Sequence, residues 1–480
     1  MQPEHLKFGG GAEETVLHPL VLIALLIAIV LILLLRRKFV IVPVLLMAFL
    51  VPLGQQVVVG GIHILVLRIV ILVGLLRMLY ARFFSPARVF SGGLSSLDKV
   101  FTIWAFFHVF AFLFLFSFQT AALVNQFGFL WDVLGGFLLL RFLVQEEGDI
   151  DRVIKTFAFI AGILAICMLN EHFRMQNVFG LLGGIRAVPE TRDGLVRAQA
   201  AFSHPLLAGT FGATLLPLFF LLWHSGKSKA AAVIGIFSST IMTLCAASST
   251  PVLAYVAGIG AVCFWPFRKH MRMFRWGIVF ALLALHLVMK APVWFLISRI
   301  NVLGASSGDH RAYLVDLFIR HVGDWWLMGT NANGNWGWEM WDTSNQYVAE
   351  GEGGGLVAFV CFLGMISLCF ARIGNARKAV AGDRKKEWYF WFFGAALFAH
   401  VVAFFGISYF DQTRLAWFAL MVMIFAATAP ILAVNTQPDW QPAGRPLVSS
   451  RLAHPFPSIS RPDRNRLFDL HGRQFKPPRS

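Results

Sequence analysis

The chain has 480 residues, of which 58% are hydrophobic and 14% charged, with a mean hydropathy of +0.69. Soluble domains carry roughly 25% charged residues, so this composition excludes an ordinary water-soluble domain and predicts an all-α polytopic membrane protein. The net charge is +16, yet the bases sit in short clusters at the ends of apolar runs, as at the cytoplasmic face of membrane proteins, which argues for membrane lipids and against nucleic acid as a partner.

Apolar windows long enough to cross a bilayer fall near 17–35, 39–53, 62–80, 100–118, 126–144, 153–170, 206–223, 231–248, 251–267, 276–296, 353–371, 389–408 and 415–434. The count is about 12 or 13 transmembrane helices, the second window being short. The first run is too long for a cleaved signal and is followed by its basic cluster, Arg36, Arg37 and Lys38, so it reads as a span. Cys167, Cys245, Cys263, Cys361 and Cys369 lie in or beside apolar runs without a C-x-x-C spacing, which predicts neither disulfides nor structural zinc.

Basic residues flank alternate ends of the spans. Arg82 and Lys99, Arg152 and Lys155, Lys227 and Lys229, Arg268 to Arg275, and Arg372 to Lys386 all fall on one side, taken as cytoplasmic, while loops 54–61 and 119–125 contain no Lys or Arg. Two segments on the other side break the pattern. Segment 171–205 holds Arg174, Arg186, Arg192 and Arg197, and segment 297–352 holds Arg299, Arg311 and Arg320. Loops of this length carry some arginine whatever they do; the functional reading is an anionic ligand at that face. Residues 1–435 form the predicted membrane domain, and residues 436–480, rich in Pro, Arg and Ser, read as a disordered basic cytoplasmic tail.

Three stretches carry the chemistry. In 197–220, Arg197 precedes a span opened by His204 and Pro205, where the phosphate of a lipid-linked substrate would lie; His204 reads either as a ligand to it or as a helix cap. In 306–330, after Ser306, Ser307 and Gly308, a helical pattern places Arg311 in a first turn. A cation there opposes the helix dipole and reads as an anion site, or as a salt bridge to Asp309 or Asp316. In 336–359, Trp336, Trp338 and Trp341 stand beside Asp342, Asn345 and Tyr347, and the indoles read as sugar-stacking faces or as interfacial anchors. Five tryptophans within 325–341 predict an ordered lid rather than a disordered loop. Arg68 is a base well inside a span and a candidate substrate ligand.

Taken in order, RAQAAFSHP, SST at 248–250, SSGDHRAYLVDLF, WWLMGT and DTSNQYV before a glycine-rich span entry resemble the O-antigen ligase and O-antigen polymerase superfamily, over about residues 60–435. The resemblance implies a GT-C-like, metal-independent glycosyltransferase without a cofactor, in the bacterial inner membrane, its site facing the periplasm. It would move a glycan from an undecaprenyl-pyrophosphate carrier to the hydroxyl of an acceptor glycan or lipid. It further implies that Arg197 and Arg311 engage the pyrophosphate and that Asn345 and Tyr347 match the family's His-Asn-x-Tyr-like segment. Ser344 stands where the family has histidine, leaving His310 or Asp342 as the base. A carrier or flippase that binds the same lipid-linked saccharide without chemistry is the competing expectation.

Overall fold

The computed structural model describes residues 15–60, 62–84, 90, 92–299 and 308–434. The 436–480 tail and the Ser306–Ser307 turn of the sequence analysis lie outside them. The chain is an all-α multi-pass membrane protein with two small hairpins. It opens with helices α1 (Pro19–Leu34) and α2 (Arg37–Leu50), hairpin β1 (Gln56–Val59) and β2 (Ile62–Leu65), and α3 (Val66–Phe84). Next come α4 (Ser96–Leu115), α5 (Thr120–Leu130), α6 (Gly136–Leu143) and α7 (Glu147–Arg174). Hairpin β3 (Glu190–Arg192) and β4 (Leu195–Arg197) leads into α8 (Pro205–Ser225), α9 (Lys229–Cys245), α10 (Ser249–Cys263) and α11 (Met271–Val288). The chain then runs through α12 (Gly308–Arg320), α13 (Val322–Trp325), α14 (Gln346–Ala379), α15 (Arg384–Ala403) and α16 (Asp411–Val434).

Among the described residues seven helices are long and apolar enough to cross a membrane, and α1, α9 and α10 are shorter apolar helices. The thirteen windows read from hydropathy are therefore coarser than the helices. Window 62–80 opens as strand β2 before α3 begins. Window 126–144 belongs to a longer element, 120–143, in which α5 and α6 join through a π-helical turn at Trp131–Gly135. Hydropathy sees where side chains are apolar and is blind to where the backbone changes its hydrogen-bond register.

The helices pack by close approach. A methyl at Gly212 of α8 would meet Met242 Cβ of α9 at 2.8 Å, and one at Gly235 of α9 would meet the Phe219 ring of α8 at 2.5 Å, so small residues set this contact. α8 is buried almost all round, whereas α11 has no buried residue. Phe49 stacks on Phe211 (centroids 4.8 Å) and meets Phe157 edge-on (5.4 Å), joining α2, α7 and α8. One ion pair is buried in this core: Arg141 Nε and Nη2 donate to the two oxygens of Asp98 at 2.8 and 2.9 Å, and Asp98 also closes a capping box with Ser95 at the start of α4.

Residues 308–348 carry a core of their own, made of Leu314, Phe318, Trp325, Trp336, Met340 and Val348, with Phe318 stacked on Trp325 at 4.0 Å. This cap is tied to α14 at one acidic residue. Glu352 O accepts from Thr330 N (2.8 Å), and Glu352 Oε2 accepts from Thr343 Oγ1 (2.6 Å) and Asn333 Nδ2 (3.2 Å). The knot exists because α14 breaks at Gly354 and Gly355, where Gly355 adopts φ +63° and Leu356 N bonds to Trp326 O (2.8 Å) in place of a helical partner. A Cβ at Gly355 would lie 2.6 Å from Leu327 O.

Gly355→Ala is expected to lower the melting temperature of the detergent-purified protein by several degrees, since both strain and a clash oppose it. Gly374→Ala, in the same helix with open space around it, is expected to leave the melting temperature unchanged or raise it, by about 0.5–1 kcal/mol of stability. Equal losses in both variants would show that the kink is not held as described.

Candidate functional site

Arg197 is placed by a chain of backbone locks. The hairpin turn Asp193–Gly194 has both φ values positive (50° and 77°), as a two-residue type I′ connection requires, and its register sets Glu190 opposite Arg197. Glu190 Oε1 accepts from Arg197 Nη1 at 2.6 Å. Beyond Arg197, Ala198 N donates to Cys245 O (2.9 Å), while Gln199 N and Ala200 N both donate to Glu171 Oε2, at 3.0 and 2.8 Å. A carboxylate in the last turn of α7 thus fixes the strand that carries the arginine. His204 then caps α8, its Nδ1 accepting from Leu206 N at 3.2 Å. With Nδ1 acting as acceptor, the neutral ring carries its proton on Nε2 and can only donate there.

Arg311 arrives from the first turn of α12 and is only 8% exposed. Neither salt bridge open in the sequence forms. Asp316 pairs with Arg320 (2.8 Å), and among the described residues the Arg311 guanidinium has no hydrogen-bond or ion-pair partner, its Nε being buried and unsatisfied. Burial pushes its pKa down to about 10, Asp342 opposing the shift and Arg192 and Arg197 adding to it, so the group remains a cation at neutral pH. A buried guanidinium with unsatisfied donors costs folding free energy, and those donors remain open to an anion.

The two arginines line one cavity of about 310 Å³, with Glu190, Arg192, His204, Ser248, Ser249, Asp342, Ser344 and Phe410 among its walls. Three guanidiniums face two carboxylates. Helix starts converge here as well: Leu206 of α8, Ser249 of α10 and Arg311 of α12 each lie in a first turn, and Ser344 precedes the cap of α14. Free backbone N–H groups and helix dipoles at such ends favour an anion, and the guanidiniums add bidentate donors. Ser249 Oγ and Arg197 Nε are further buried polar atoms without a partner among the described residues.

Of the residues singled out in the sequence, Arg197, His204, Arg311 and Asp342 meet in this cavity. His310 stands beside it, its Nε2 donating to Asp342 O at 3.0 Å. The others are elsewhere. Arg68 forms a bidentate pair with Asp132 (2.8–3.2 Å) and donates to His63 O (3.0 Å), so it is a structural ion pair and lines neither this cavity nor its neighbour. Trp336 is buried in the cap core, donating to Asp324 (3.1 Å) and stacked on His321. Trp338 and Trp341 are 86% and 73% exposed and turned away from the cavity walls. Asn345 caps α14 through Tyr347 N (2.9 Å) and Val348 N (3.3 Å), and Tyr347 donates to Val401 O (3.0 Å). Neither residue lines the cavity. Arg192, one of the four arginines of segment 171–205, and Ser344, which stands where the family has histidine, line it too; the residues not foreseen are Glu190 and the 407–410 segment. Glu190, seven residues before Arg197 across a D-G turn, was the most legible of them.

No family model matches the sequence, and no curated protein matches it at a meaningful level.

Arg311→Leu is expected to raise the melting temperature of the ligand-free protein, because the substitution removes an unpaired buried charge at a gain on the order of 1 kcal/mol or more. A lowered melting temperature would indicate a partner for Arg311. His204 is held below the usual histidine range by burial first and by Arg197 next. The ring is therefore neutral when folded and takes up a proton on unfolding, so its contribution is present above about pH 6.5 and lost as pH falls below that. His204→Asn keeps a cap acceptor and is expected to flatten the decline in melting temperature between pH 7 and pH 5; an unchanged slope would exclude His204 as its source.

Proposed function

We propose that the protein is a membrane glycosyltransferase of the ligase or polymerase type, acting at the periplasmic side of the bacterial inner membrane. It moves a glycan from an undecaprenyl-pyrophosphate carrier to a hydroxyl of an acceptor glycan or lipid. The observation that carries this reading is the unpartnered Arg311 guanidinium buried beside Arg197, in a cavity where several helices begin.

In this reading the pyrophosphate lies between the two arginines. The acceptor oxygen attacks the anomeric carbon, the bond from that carbon to the pyrophosphate oxygen breaks, and the carrier leaves with the electron pair. Two guanidiniums stabilise the charge that develops on the leaving oxygens, and holding donor and acceptor together supplies much of the remainder. The acceptor proton needs a base within hydrogen-bond reach. Asp342 lines the cavity, whereas the His310 ring is tied to the Asp342 backbone, so Asp342 is the better candidate. Glu190 holds Arg197 until the phosphate takes its place.

Arg197→Ala and Arg311→Ala are each expected to abolish glycan transfer in membranes while the protein still inserts. Arg311→Lys is expected to remain poor, because a point charge cannot replace the two-pronged donor. Deleting the gene is expected to accumulate a lipid-linked glycan and remove a surface polymer. Full transfer by Arg311→Ala membranes would refute the assignment.

A further inference from the structure

A second cavity, of about 200 Å³, lies against the first and shares Ser408 and Phe410 with it. α4, α5, α14 and α16 contribute Trp104, Phe129, Glu350, Arg414 and Trp417 to its walls. Its electrostatics differ from those of its neighbour: one arginine faces one glutamate.

Both charged groups keep open valences. Glu350 Oε2 accepts from Trp104 Nε1 (2.6 Å) and is 2.8 Å from His108 Nε2, while among the described residues Oε1 accepts only from Gln346 Nε2 (2.6 Å), which leaves it a lone pair. Gln346 is itself fixed, since its Oε1 accepts from Tyr409 N. Arg414 Nε donates to Tyr409 O (3.2 Å) and its guanidinium lies over the Phe129 ring, but among the described residues its Nη atoms have no hydrogen-bond partner. A donor fork and a carboxylate acceptor therefore share one aromatic-walled space.

We infer that this second cavity binds one neutral pyranose ring, Arg414 donating to a hydroxyl oxygen and Glu350 Oε1 accepting a hydroxyl proton. Sugar hydroxyls both donate and accept, and the ring's apolar edges suit the aromatic walls. An isoprenoid chain would leave the Arg414 Nη atoms buried without partners, and a phosphate would sit beside Glu350. Which ring enters, the donor's first sugar or the acceptor's last, rests on the transferase reading; that a sugar enters does not.

The test uses the full chain in lipid nanodiscs, its five native cysteines replaced and Ala349→Cys placed in the wall as a thiol reporter. Methyl pyranosides of glucose, galactose and N-acetylglucosamine, inorganic pyrophosphate, and farnesol are compared as protectants against a methanethiosulfonate reagent. The expected result is a several-fold slowing of labelling by at least one pyranoside and by neither of the other two, abolished by Arg414→Gln and weakened by Arg414→Lys. An unchanged labelling rate without sugar reports that each variant keeps the cavity. Protection by farnesol or pyrophosphate alone, protection by no pyranoside, or protection unaffected by Arg414→Gln would overturn the proposal.

Undecaprenyl-pyrophosphoryl-N-acetylglucosamine separates the two sources. With it bound, pyranosides that add no further protection mark a donor ring; pyranosides that still add protection mark an acceptor ring. Pyranoside protection in a protein without transfer activity would remove the transferase reading and leave the sugar site standing.

Discussion

A buried guanidinium that, among the described residues, has neither a hydrogen-bond nor an ion-pair partner is the constraint around which this structure is arranged. Arg311 is buried and unpaired, and its cost is borne by everything that keeps it there: the first turn of α12, the aromatic core of the cap, and the Glu352 knot that ties the cap to α14. Arg197 is the complementary case. It has a partner, Glu190, and is held in position by Glu171 through two backbone amides. One cation is left without a bonded partner among the described residues, and the other is held by a carboxylate.

The two cavities divide recognition by charge. The first concentrates arginines and helix starts, a setting suited to phosphate oxygens. The second balances Arg414 against Glu350 within aromatic walls, a setting suited to neutral hydroxyl groups instead. Ser408 and Phe410 belong to both, so a molecule carrying an anionic group and a sugar has room to present each to the matching chamber.

The membrane-spanning, all-helical character was legible because apolar length and basic flanks follow directly from the bilayer. The convergence of Arg197 and Arg311 was legible because both are cations placed against the topological bias. The tryptophans misled because sequence spacing cannot tell a buried core indole from an exposed one. Trp336 proved to be the centre of the cap, and Trp338 and Trp341 proved to face outward. Arg68 misled for a different reason: its partner Asp132 lies 64 residues away, on the element containing the π-helical turn. Asn345 and Tyr347, read in the sequence as substrate ligands, make hydrogen bonds that serve the α14 cap and the end of α15. Such long-range pairings are set by packing and leave no local signal.

The break in α14 has a mechanical consequence. Residues 346–353 are bonded to the cap and also to α4 and α15, and they lead into the apolar shaft through two glycines, so the rod is divided into a short upper piece and a long lower piece. Because Leu356, the first residue of the shaft, bonds back to Trp326 of the cap, the arginine-bearing segment is held from both sides of the break.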